Sequence, residues 1–414
     1  GIVVQKFGGT SLADAEKIHR AAGRAIRAKL DGKQVVMAVS AMGHSTDDLL
    51  SLAREVSPHP PRRELDMLLT TGEQVSIALM AMAIHAAGHQ AISLTGAHLG
   101  LMTDSAHTKA RIQRIHRDRL NRELEAGNIV IVAGFQGIDA SGEITTLGRG
   151  ASDTTAAALA AVLEADACEI HTDVDGVYTA DPRLVPQARK IDRISYDEML
   201  EMAAAGAGVM HSRAIEFGKK FNVPIHVRSA LTDAPGTMIM AETPGMEDVT
   251  VRGVTLKEDL AEITLTGVPN RPGIAAEIFT EIAKHQVLID DITQTVYEDG
   301  RIANIGFTTT SAYLPEARVA CDHVIRTLGV GGVVIDQDVC KVSAIGVGMR
   351  SHTGVASTMF AALSAAGINI ETISTSEIVI GCVVRRQDGP RALQVVHQAF
   401  KLDETDTSDG ADES

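Results

Sequence analysis

Aromatic side chains are scarce in this sequence, and tryptophan is absent. Aromatics make up 3% of the 414 residues, whereas protein modules that stack nucleic-acid bases depend on such side chains. Basic charge is also low, because 38 Lys and Arg stand against 53 Asp and Glu and leave a net charge of −15. A nucleic-acid binder needs a basic face, so we expect no nucleic-acid partner. A small anionic substrate is compatible with this charge, because local Lys, Arg and helix N-termini capture anions.

Cysteine is equally rare, and the four cysteines lie far apart in apolar runs, without a C-x-x-C pair or a neighbouring His cluster. We interpret them as buried reduced thiols rather than as disulfide partners, and we predict no metal-ligand residues. The chain opens at Gly1 in the strand-like run Ile2 to Val4, without the charged and apolar regions of a signal peptide. We therefore expect a cytoplasmic protein with no membrane partner.

The length predicts two or three domains, because single hydrophobic cores stop growing well before 414 residues. Residues 1–245 alternate β-branched apolar runs with amphipathic helical stretches, which predicts an α/β domain with a largely parallel sheet. The predicted buried strands are Ile2 to Val4, Val35 to Val39, Ile129 to Ala133, Glu169 to Thr172 and Ile225 to Val227. Open α/β sheets bind ligands beyond the carboxyl ends of their strands, so the polar motifs at those ends are the candidate site.

The remaining chain contains an internal repeat. Val268 to Gln294 aligns with Met349 to Thr375 at a spacing of 81 residues. Each copy has the βαββαβ order of ferredoxin-like α+β domains, which predicts one domain at 246–338 and another at 339–402. The second copy ends before its last strand, and we predict that an early strand at 250–256 completes it. The acidic tail 403–414 is predicted to be disordered.

A first glycine motif, Lys6-Phe7-Gly8-Gly9-Thr10-Ser11, lies where the first strand ends and a helix begins. Two glycines let the backbone approach a phosphate closely, and Lys6 supplies a positive charge. An ordinary glycine-rich turn explains this motif equally well, because short glycine motifs recur by chance.

A second glycine-rich segment runs from Thr146 to Thr155 and contains Gly148-Arg149-Gly150. We predict that Ser152, Asp153 and the two threonines cap a helix at Ala156 to Leu163 and leave N–H groups free for an anion. Arg149 suits a carboxylate, which it can bind with two parallel hydrogen bonds, while Asp153 suits an ammonium group or a magnesium ion. A plain capping segment does not explain an arginine between two glycines.

A third polar segment, Thr172 to Arg183, directly follows a predicted strand. It suits a nucleotide, with Tyr178 against the base and Arg183 near the phosphates. Its acidic residues lack the spacing of a calcium loop. Glu73, predicted at the head of an apolar helix, is either a first-turn acid favoured by the helix dipole or a partner for a substrate ammonium. Walker, protein-kinase and G-x-G-x-x-G motifs are absent from the sequence.

Taken in this order, the motifs resemble the aspartate kinases of the amino-acid kinase family, which carry a C-terminal pair of ACT domains. The resemblance covers almost the whole chain, including Arg63 to Leu69, Val132 to Gly137 and Ser374 to Ile378. It implies an amino-acid kinase fold followed by two ACT domains. It also implies transfer of the γ-phosphate of ATP to the β-carboxylate of L-aspartate, with Mg²⁺, as the first step towards lysine, threonine and methionine.

The resemblance also implies residue roles. Lys6, Arg149 and Asp153 are the expected catalytic residues, and Lys6 would relieve repulsion between the two anionic reactants. The expected ATP-binding residues are Lys6, Gly8, Gly9, Ser40, Thr172, Asp173, Tyr178, Asp181 and Arg183. The expected aspartate-binding residues are Thr46, Asp47, Glu73, Arg149, Ser152 and Asp153.

In such families the ACT pair binds lysine, threonine or both and inhibits the kinase, usually at a dimer interface. We therefore expect these effectors as partners and a homo-oligomer formed through the ACT domains. The candidate effector residues are Asn270, Gly273, Ile274, Asp290, Gln294, His352, Thr353, Asn369, Ile370 and Glu371. Packing of strands and turns is the alternative role for each of them.

The sequence departs from the family's usual pattern at Gly208, Ala151, Asn270 and Thr353. Many members carry lysine near the nucleotide where Gly208 stands. Gly208 and Ala151 in particular leave open a non-catalytic regulator that binds amino acids. A second alternative is a kinase of the same fold that acts on glutamate, acetylglutamate or a nucleotide.

Overall fold

The apolar runs predicted as strands form the centre of an eight-stranded sheet. The computed structural model describes residues 1–148, 150–297 and 300–404, which divide into two compact units. The first comprises Gly1–Tyr178, Lys190–Ala204 and Gly208–Met246, and the second comprises Thr179–Arg189, Ala205–Ala207 and the chain from Glu247 onward. Residues 405–414, most of the tail predicted to be disordered, lie outside the described residues.

The first unit has the predicted α/β architecture. Its strands are β1 (Ile2–Phe7), β2 (Gln34–Val39), β3 (Ala91–Leu94), β4 (Leu101–Thr103), β5 (Ile112–Ile115), β6 (Ile129–Ala133), β7 (Gln136–Ile138), β8 (Ile144–Thr146), β9 (Ala167–Thr172), β10 (Val177–Tyr178), β11 (Lys190–Ile191), β12 (Arg193–Ser195), β13 (Ile225–Ser229) and β14 (Thr237–Met240). Its helices are α1 (Ala15–Leu30), α2 (Ser45–Val56), α3 (Arg62–Ala86), α4 (Gly96–Leu99), α5 (Arg117–Glu125), α6 (Ala151–Val162), α7 (Tyr196–Ala204) and α8 (Ser212–Phe221).

The main sheet has the order β12-β14-β13-β9-β1-β2-β6-β3, and only the β13–β14 pair among its described pairings is antiparallel. Strands β2 and β6 are buried almost throughout, as continuous apolar strands covered on both faces should be. A smaller sheet has the order β5-β4-β7-β8. Because β9, β1, β2 and β6 run parallel, their carboxyl ends meet at one edge and bring the predicted motifs together.

Helix α3 is the only helix in the described part of the chain that is long and apolar enough to cross a membrane by length and composition. It also carries the buried carboxylates of Asp66 and Glu73, and each contacts protein groups of the first unit. A buried carboxylate needs hydrogen-bond partners, and α3 finds them within the first unit. We therefore interpret α3 as a core helix.

The second unit is built on one six-stranded antiparallel sheet with the order β16-β17-β15-β18-β20-β19. Its strands are β15 (Gly253–Pro269), β16 (Asp290–Tyr297), β17 (Ile302–Thr309), β18 (Gly332–Ile345), β19 (Thr372–Thr375) and β20 (Val379–Arg385). Its helices are α9 (Ile274–Lys284), α10 (Leu314–Leu328), α11 (Val355–Ala365) and α12 (Gly389–Ala399).

The long strand β15 joins the two copies of the repeat. Its first residues, 253–257, pair with residues 341–345 of β18, and its later residues pair with β17 as well. The early strand predicted at 250–256 therefore lies beside the second copy, beginning at Gly253. One continuous sheet results, with separate apolar clusters under the helices of each copy.

Residues 179–189 belong to the second unit although they lie within the 1–245 range predicted for the first domain. The Val254 N–H donates to the Thr179 carbonyl at 2.7 Å, and the Thr179 hydroxyl lies 2.9 Å from His397 Nε2. Ala180 and Val185 are part of the apolar cluster beneath α11 and α12. This segment therefore packs as part of the core of the second copy.

Candidate active site

The centre of the candidate site is an ion pair between Lys6 and Asp153. Lys6 lies on β1, Asp153 lies in the first turn of α6, and Lys6 Nζ is 2.7 Å from Asp153 Oδ1. The side chains are only 14% and 9% exposed. Removing two charges from water is costly unless they are closely paired, and an anion is additionally favoured at a helix N-terminus. The pair therefore places a nearly buried ammonium where strand and helix meet.

The loops after β1, β2 and β6 approach this pair with little room for side chains. Ser40 Oγ donates to Ser152 Oγ at 2.9 Å. A Cβ on Gly9 would lie 2.8 Å from the carbonyl oxygens of Ala41 and Gly43, and one on Gly134 would lie 2.7 Å from Ser152 Oγ. Glycine at these positions follows from close approach to neighbouring protein atoms, which fits both the phosphate-loop and the glycine-rich-turn interpretations of the first motif.

The helix after the second glycine segment begins earlier than predicted. Helix α6 starts at Ala151, and its N-cap is Gly150 with φ of 68°. The expectation that Ser152, Asp153 and the threonines cap a helix at 156 is therefore wrong; they form its first turn, because Gly150 takes the left-handed conformation that ends the loop. Arg149, the predicted carboxylate partner, lies outside the described residues.

Glu73 lies in the middle of α3, not at the head of a helix as predicted, since α3 begins at Arg62 and continues through Gly72. Its Oε1 accepts the Ala41 N–H at 3.3 Å, while Oε2 has no hydrogen-bond partner among the described residues. Burial raises the pKa of Glu73 to about 8, more than these backbone hydrogen bonds lower it. The first-turn alternative is therefore wrong, and a desolvated carboxyl remains beside the loop after β2.

Thr46 and Asp47 lie in the first turn of α2, where Asp47 is exposed and its Oδ2 is 3.8 Å from His44 Nδ1. In the described part of the first unit, neither makes a hydrogen bond to Lys6, Ser152 or Asp153. These two predicted aspartate-binding residues thus flank the site without joining its hydrogen bonds.

The predicted nucleotide segment is divided between the two units. Thr172 ends β9, and its hydroxyl donates to Asp173 at 3.0 Å. Tyr178 donates to Asp175 at 2.9 Å, and burial together with this hydrogen bond raises the pKa of Tyr178. Asp181 and Arg183 belong to the second unit.

There, Arg183 Nη2 lies 2.7 Å from Asp181 Oδ2. The hydrogen bonds from Arg183 hold the pKa of Asp181 below its usual range.

The candidate effector residues lie in the segments that lead into α9 and α11, on β16, and in the segment just before β19. Gly273 and Gly354 are the N-caps of α9 and α11, with φ of 89° and 87°. Asn270 donates to the Gly300 carbonyl at 2.6 Å, and His352 Nδ1 lies 2.8 Å from the Gly348 carbonyl. All ten candidates are exposed except Ile274, which is buried, and Ile370, which is half-buried.

Sequence reasoning missed a buried polar cluster next to Lys6 on the sheet. Glu169 accepts from Gln5 at 2.9 Å and from Arg228 at 3.2 Å, and it lies 3.1 Å from His171, whose ring stacks on Phe7 at 4.6 Å. Burial would raise the pKa of Glu169, but these partners outweigh burial and lower it to about 2. The sequence does contain a sign of this cluster, because Glu169 and His171 lie two residues apart in a buried strand, and buried polar side chains need hydrogen-bond partners.

Comparisons with known proteins agree with this geometry. The model of the "Amino acid kinase family" matches residues 1–229, and an "ACT domain" model matches residues 342–400. The aspartokinase of Mycolicibacterium smegmatis is 49% identical over 97% of this chain and 96% of its own length.

Two solved structures of E. coli aspartokinase III are also similar. The complex with aspartate and ADP is 25% identical, covers 96% of this chain and 99% of that chain, and has a TM-score of 0.79. The complex with lysine and aspartate has a TM-score of 0.78 at 25% identity, over 97% of this chain and 99% of that chain. Both structures align with almost the whole chain, as the resemblance of the motifs predicted. The sequence, the fold and the residues around Lys6 together establish that this chain belongs to the aspartokinases of the amino acid kinase family.

Proposed function

We propose that this aspartokinase transfers the γ-phosphoryl group of ATP to the β-carboxylate of L-aspartate and releases 4-phospho-L-aspartate, the entry to lysine, threonine and methionine. The observation that carries the proposal is the nearly buried Lys6–Asp153 pair where β1 meets the N-terminus of α6. Phosphoryl transfer depends on positioning and on neutralising negative charge, and Asp153 holds the Lys6 ammonium in a fixed position. The similar E. coli enzyme in complex with aspartate and ADP supports the same assignment.

The nucleotide phosphates would lie along Lys6, Gly8, Gly9 and Ser40, at the carboxyl ends of β1 and β2. Thr172, Asp173 and Tyr178 would hold the rest of the nucleotide, with Asp181 and Arg183 at the end of the same segment.

Aspartate would bind between Glu73 and the loop that contains Arg149, with Ser152, Asp153, Thr46 and Asp47 around it. Arg149 suits the α-carboxylate. Glu73 suits the ammonium group, because a nearby cation would ionise the desolvated carboxyl.

Magnesium fits this site, because Mg²⁺ is usually held by one or two carboxylates together with substrate phosphates. Asp153 supplies a nearly buried carboxylate. Among the described residues no group of three or more His, Cys, Asp or Glu side chains could hold a metal ion, so the nucleotide would contribute the remaining ligands. When bound, the ion would neutralise phosphate charge.

We further propose feedback inhibition by lysine, threonine or both through the ACT region of a cytoplasmic homo-oligomer. The E. coli relative in complex with lysine and aspartate supports a lysine effector. Large apolar side chains exposed on the sheet of the second unit, among them Ile292 at 56% and Val334 at 58%, suit contact with a second copy.

The first test is ADP release with magnesium-ATP and aspartate, with glutamate as the comparison substrate, repeated with lysine, threonine and both. We expect aspartate-dependent turnover that an end product suppresses. Equal turnover with glutamate would contradict the assignment of aspartate as the substrate. Effector binding without any turnover would identify a non-catalytic regulator.

The residue-level test is Arg149→Ala, with the exposed Arg27→Ala as a matched control because Arg27 pairs with Asp233 on the surface. We expect Arg149→Ala to reduce aspartate-dependent turnover about 100-fold or more, with normal circular dichroism. Full activity in the folded Arg149 variant would remove Arg149 from the site.

A further inference from the structure

Residues 179–189 belong to the second unit, although the residues directly before and after them belong to the first. Strand β10 ends at Tyr178 and β11 begins at Lys190, and these two residues pair in register. The Thr179 N–H donates to the Arg189 carbonyl at 2.8 Å, and the Arg189 N–H donates to the Thr179 hydroxyl at 2.9 Å. Residues 179–189 therefore form a closed loop between β10 and β11.

The rest of the second unit holds this loop at both ends. The Thr179 carbonyl accepts the Val254 N–H at 2.7 Å, and the Thr179 hydroxyl lies 2.9 Å from Nε2 of the buried His397. At the other end, Arg189 Nε donates to the Leu402 carbonyl at 2.8 Å. Thr179 thus uses its N–H, its carbonyl and its hydroxyl. Breaking buried hydrogen bonds leaves polar groups without partners, so these bonds hold the loop in one conformation.

The loop is buried on one side and exposed on the other. Ala180 and Val185 lie in the apolar cluster beneath α11 and α12, and Gln394 on α12 donates to the Leu184 carbonyl at 2.9 Å. The side chain of Arg183, in contrast, is 88% exposed. The loop therefore presents this arginine to solvent from a fixed backbone.

The loop also carries the end of the proposed nucleotide segment. Tyr178 directly precedes Thr179, and Asp181 and Arg183 follow it closely. Arg183 Nη2 lies 2.7 Å from Asp181 Oδ2, which orients the guanidinium. Binding that must first order a loop and its long side chains loses affinity. A loop that is already held in place binds a ligand without this cost.

We propose that Thr179, with His397, is a positioning residue that sets the affinity for magnesium-ATP. In this scheme their hydrogen bond holds the loop, and the loop holds Tyr178, Asp181 and Arg183 against the nucleotide. The inference rests on the proposed function, because it takes those three side chains as nucleotide contacts. Neither Thr179 nor His397 contacts the nucleotide itself, so the second copy of the repeat contributes to nucleotide binding through the backbone of this loop.

The test is Thr179→Val, which keeps the shape of the side chain and removes the hydroxyl that bonds to His397 and to the Arg189 N–H. Without effectors, we expect the KM for magnesium-ATP and the Kd for magnesium-ADP, measured by calorimetry, to rise about fivefold or more. The KM for aspartate should change less than about twofold, because the expected aspartate-binding residues lie outside this loop. Thr179→Ser keeps the hydroxyl and should restore the affinity for both nucleotides.

Thr309→Val is the matched control. Thr309 lies in the same unit, is 3% exposed against 4% for Thr179, and donates its hydroxyl to the Leu288 carbonyl at 2.7 Å. This control should lower the Tm about as much as Thr179→Val does and leave the KM for magnesium-ATP and the Kd for magnesium-ADP unchanged. Equal increases in the two variants would indicate a general effect of stability and would overturn the inference.

A milder variant applies if Thr179→Val does not fold by circular dichroism. Arg189→Ala, at a half-buried side chain, removes the hydrogen bond to the Leu402 carbonyl and keeps the backbone bonds of the loop. It should raise the Kd for magnesium-ADP about threefold. An unchanged Kd in whichever of these variants is folded would overturn the inference.

Nucleotide binding and turnover distinguish the two proposals. If the wild type binds magnesium-ADP without aspartate-dependent turnover, the proposed function is overturned, and the Kd of Thr179→Val still decides the inference. If the wild type turns over normally and the folded Thr179→Val variant keeps the wild-type nucleotide constants, the inference alone is overturned. A wild type that binds no magnesium-ADP overturns both.

Discussion

The candidate active site of the first unit and the candidate effector positions of the second both lie where strands meet helices or loops, but they differ in burial. Lys6 and Asp153 are nearly buried against each other, whereas eight of the ten effector candidates are exposed. Charges act more strongly where water is excluded, as phosphoryl transfer requires. The exposed positions of the second unit suit a site that a ligand and a second copy complete.

The largest expected effect is on kcat, and it comes from replacing the buried ion pair of the first unit with neutral residues. The same replacement in the second unit is the comparison. Lys6→Met should lower kcat about 100-fold or more, because it removes the charge that we propose to face the transferred phosphoryl group. The double variant Lys6→Met/Asp153→Asn should recover stability, since no uncompensated buried charge remains, but should not recover turnover.

The comparison pair is Lys341 and Asp291 of the second unit, whose side chains are 10% and 14% exposed. Lys341→Met/Asp291→Asn should keep turnover in the absence of effectors. Steady-state rates and thermal melts of both double variants are the measurement. A similar loss of kcat in both would contradict the functional difference between the units.

The second expected effect is an opposite pH response of the two units. Glu73 has a pKa of about 8 in the folded protein against an ordinary value of 4.5, so between these pH values the folded state holds a proton that the unfolded state has lost. Stability contributed by the first unit should therefore fall as pH rises from about 4.5 to 8, by at most about 1.4 kcal/mol per pH unit. Glu73→Gln should remove this decline in melts recorded across that range.

In the second unit, the hydrogen bonds from Ser311 lower the pKa of Asp259. Its contribution to stability is present above the unfolded pKa and is lost as pH falls through the folded pKa. Asp259→Asn should therefore destabilise the second unit at neutral pH and lose this effect in acid. If Glu73→Gln and Asp259→Asn changed the pH dependence of stability in the same way, the opposite pH response of the two units would be refuted.

The smallest expected effect concerns glycine conformation. Gly354→Ala places a side chain at φ of 87° with no close neighbour below 3.7 Å, and should destabilise the second unit by about 1 kcal/mol through backbone strain alone. Gly23→Ala, in α1 with open space around it, should instead stabilise the first unit by up to about 1 kcal/mol. Denaturant unfolding measures both, and a stabilising Gly354 variant would contradict the repeat-loop assignment.

Several features were predictable because they depend on local pattern. The apolar runs predicted as strands became β1, β2, β6, β9 and β13, since buried parallel strands are continuously apolar. The repeat was visible because equivalent turns need glycine at equivalent places, as Gly273 and Gly354 show. The glycine motifs were visible as well, because Gly9 leaves room for the carbonyls of Ala41 and Gly43 and Gly150 takes a positive φ.

Helix boundaries were less predictable. Glu73 was predicted at the head of a helix, yet α3 begins at Arg62 and passes through Gly72, where a Cβ would lie 2.8 Å from the Ala41 Cβ. Tertiary packing of this kind overrides propensity.

The sequence by itself therefore determined the fold class, the repeat and the positions of the polar motifs, because periodicity and glycine placement are local properties of the chain. Only the tertiary structure decided that Lys6 pairs with Asp153 across 147 residues, that Glu73 is desolvated, and that Thr179 bonds to His397 across 218 residues. It also decided that residues 179–189 pack with the second unit. The physical reason is that ion pairing, burial and strain depend on which distant residues fill the same space, and local sequence carries no record of those distances.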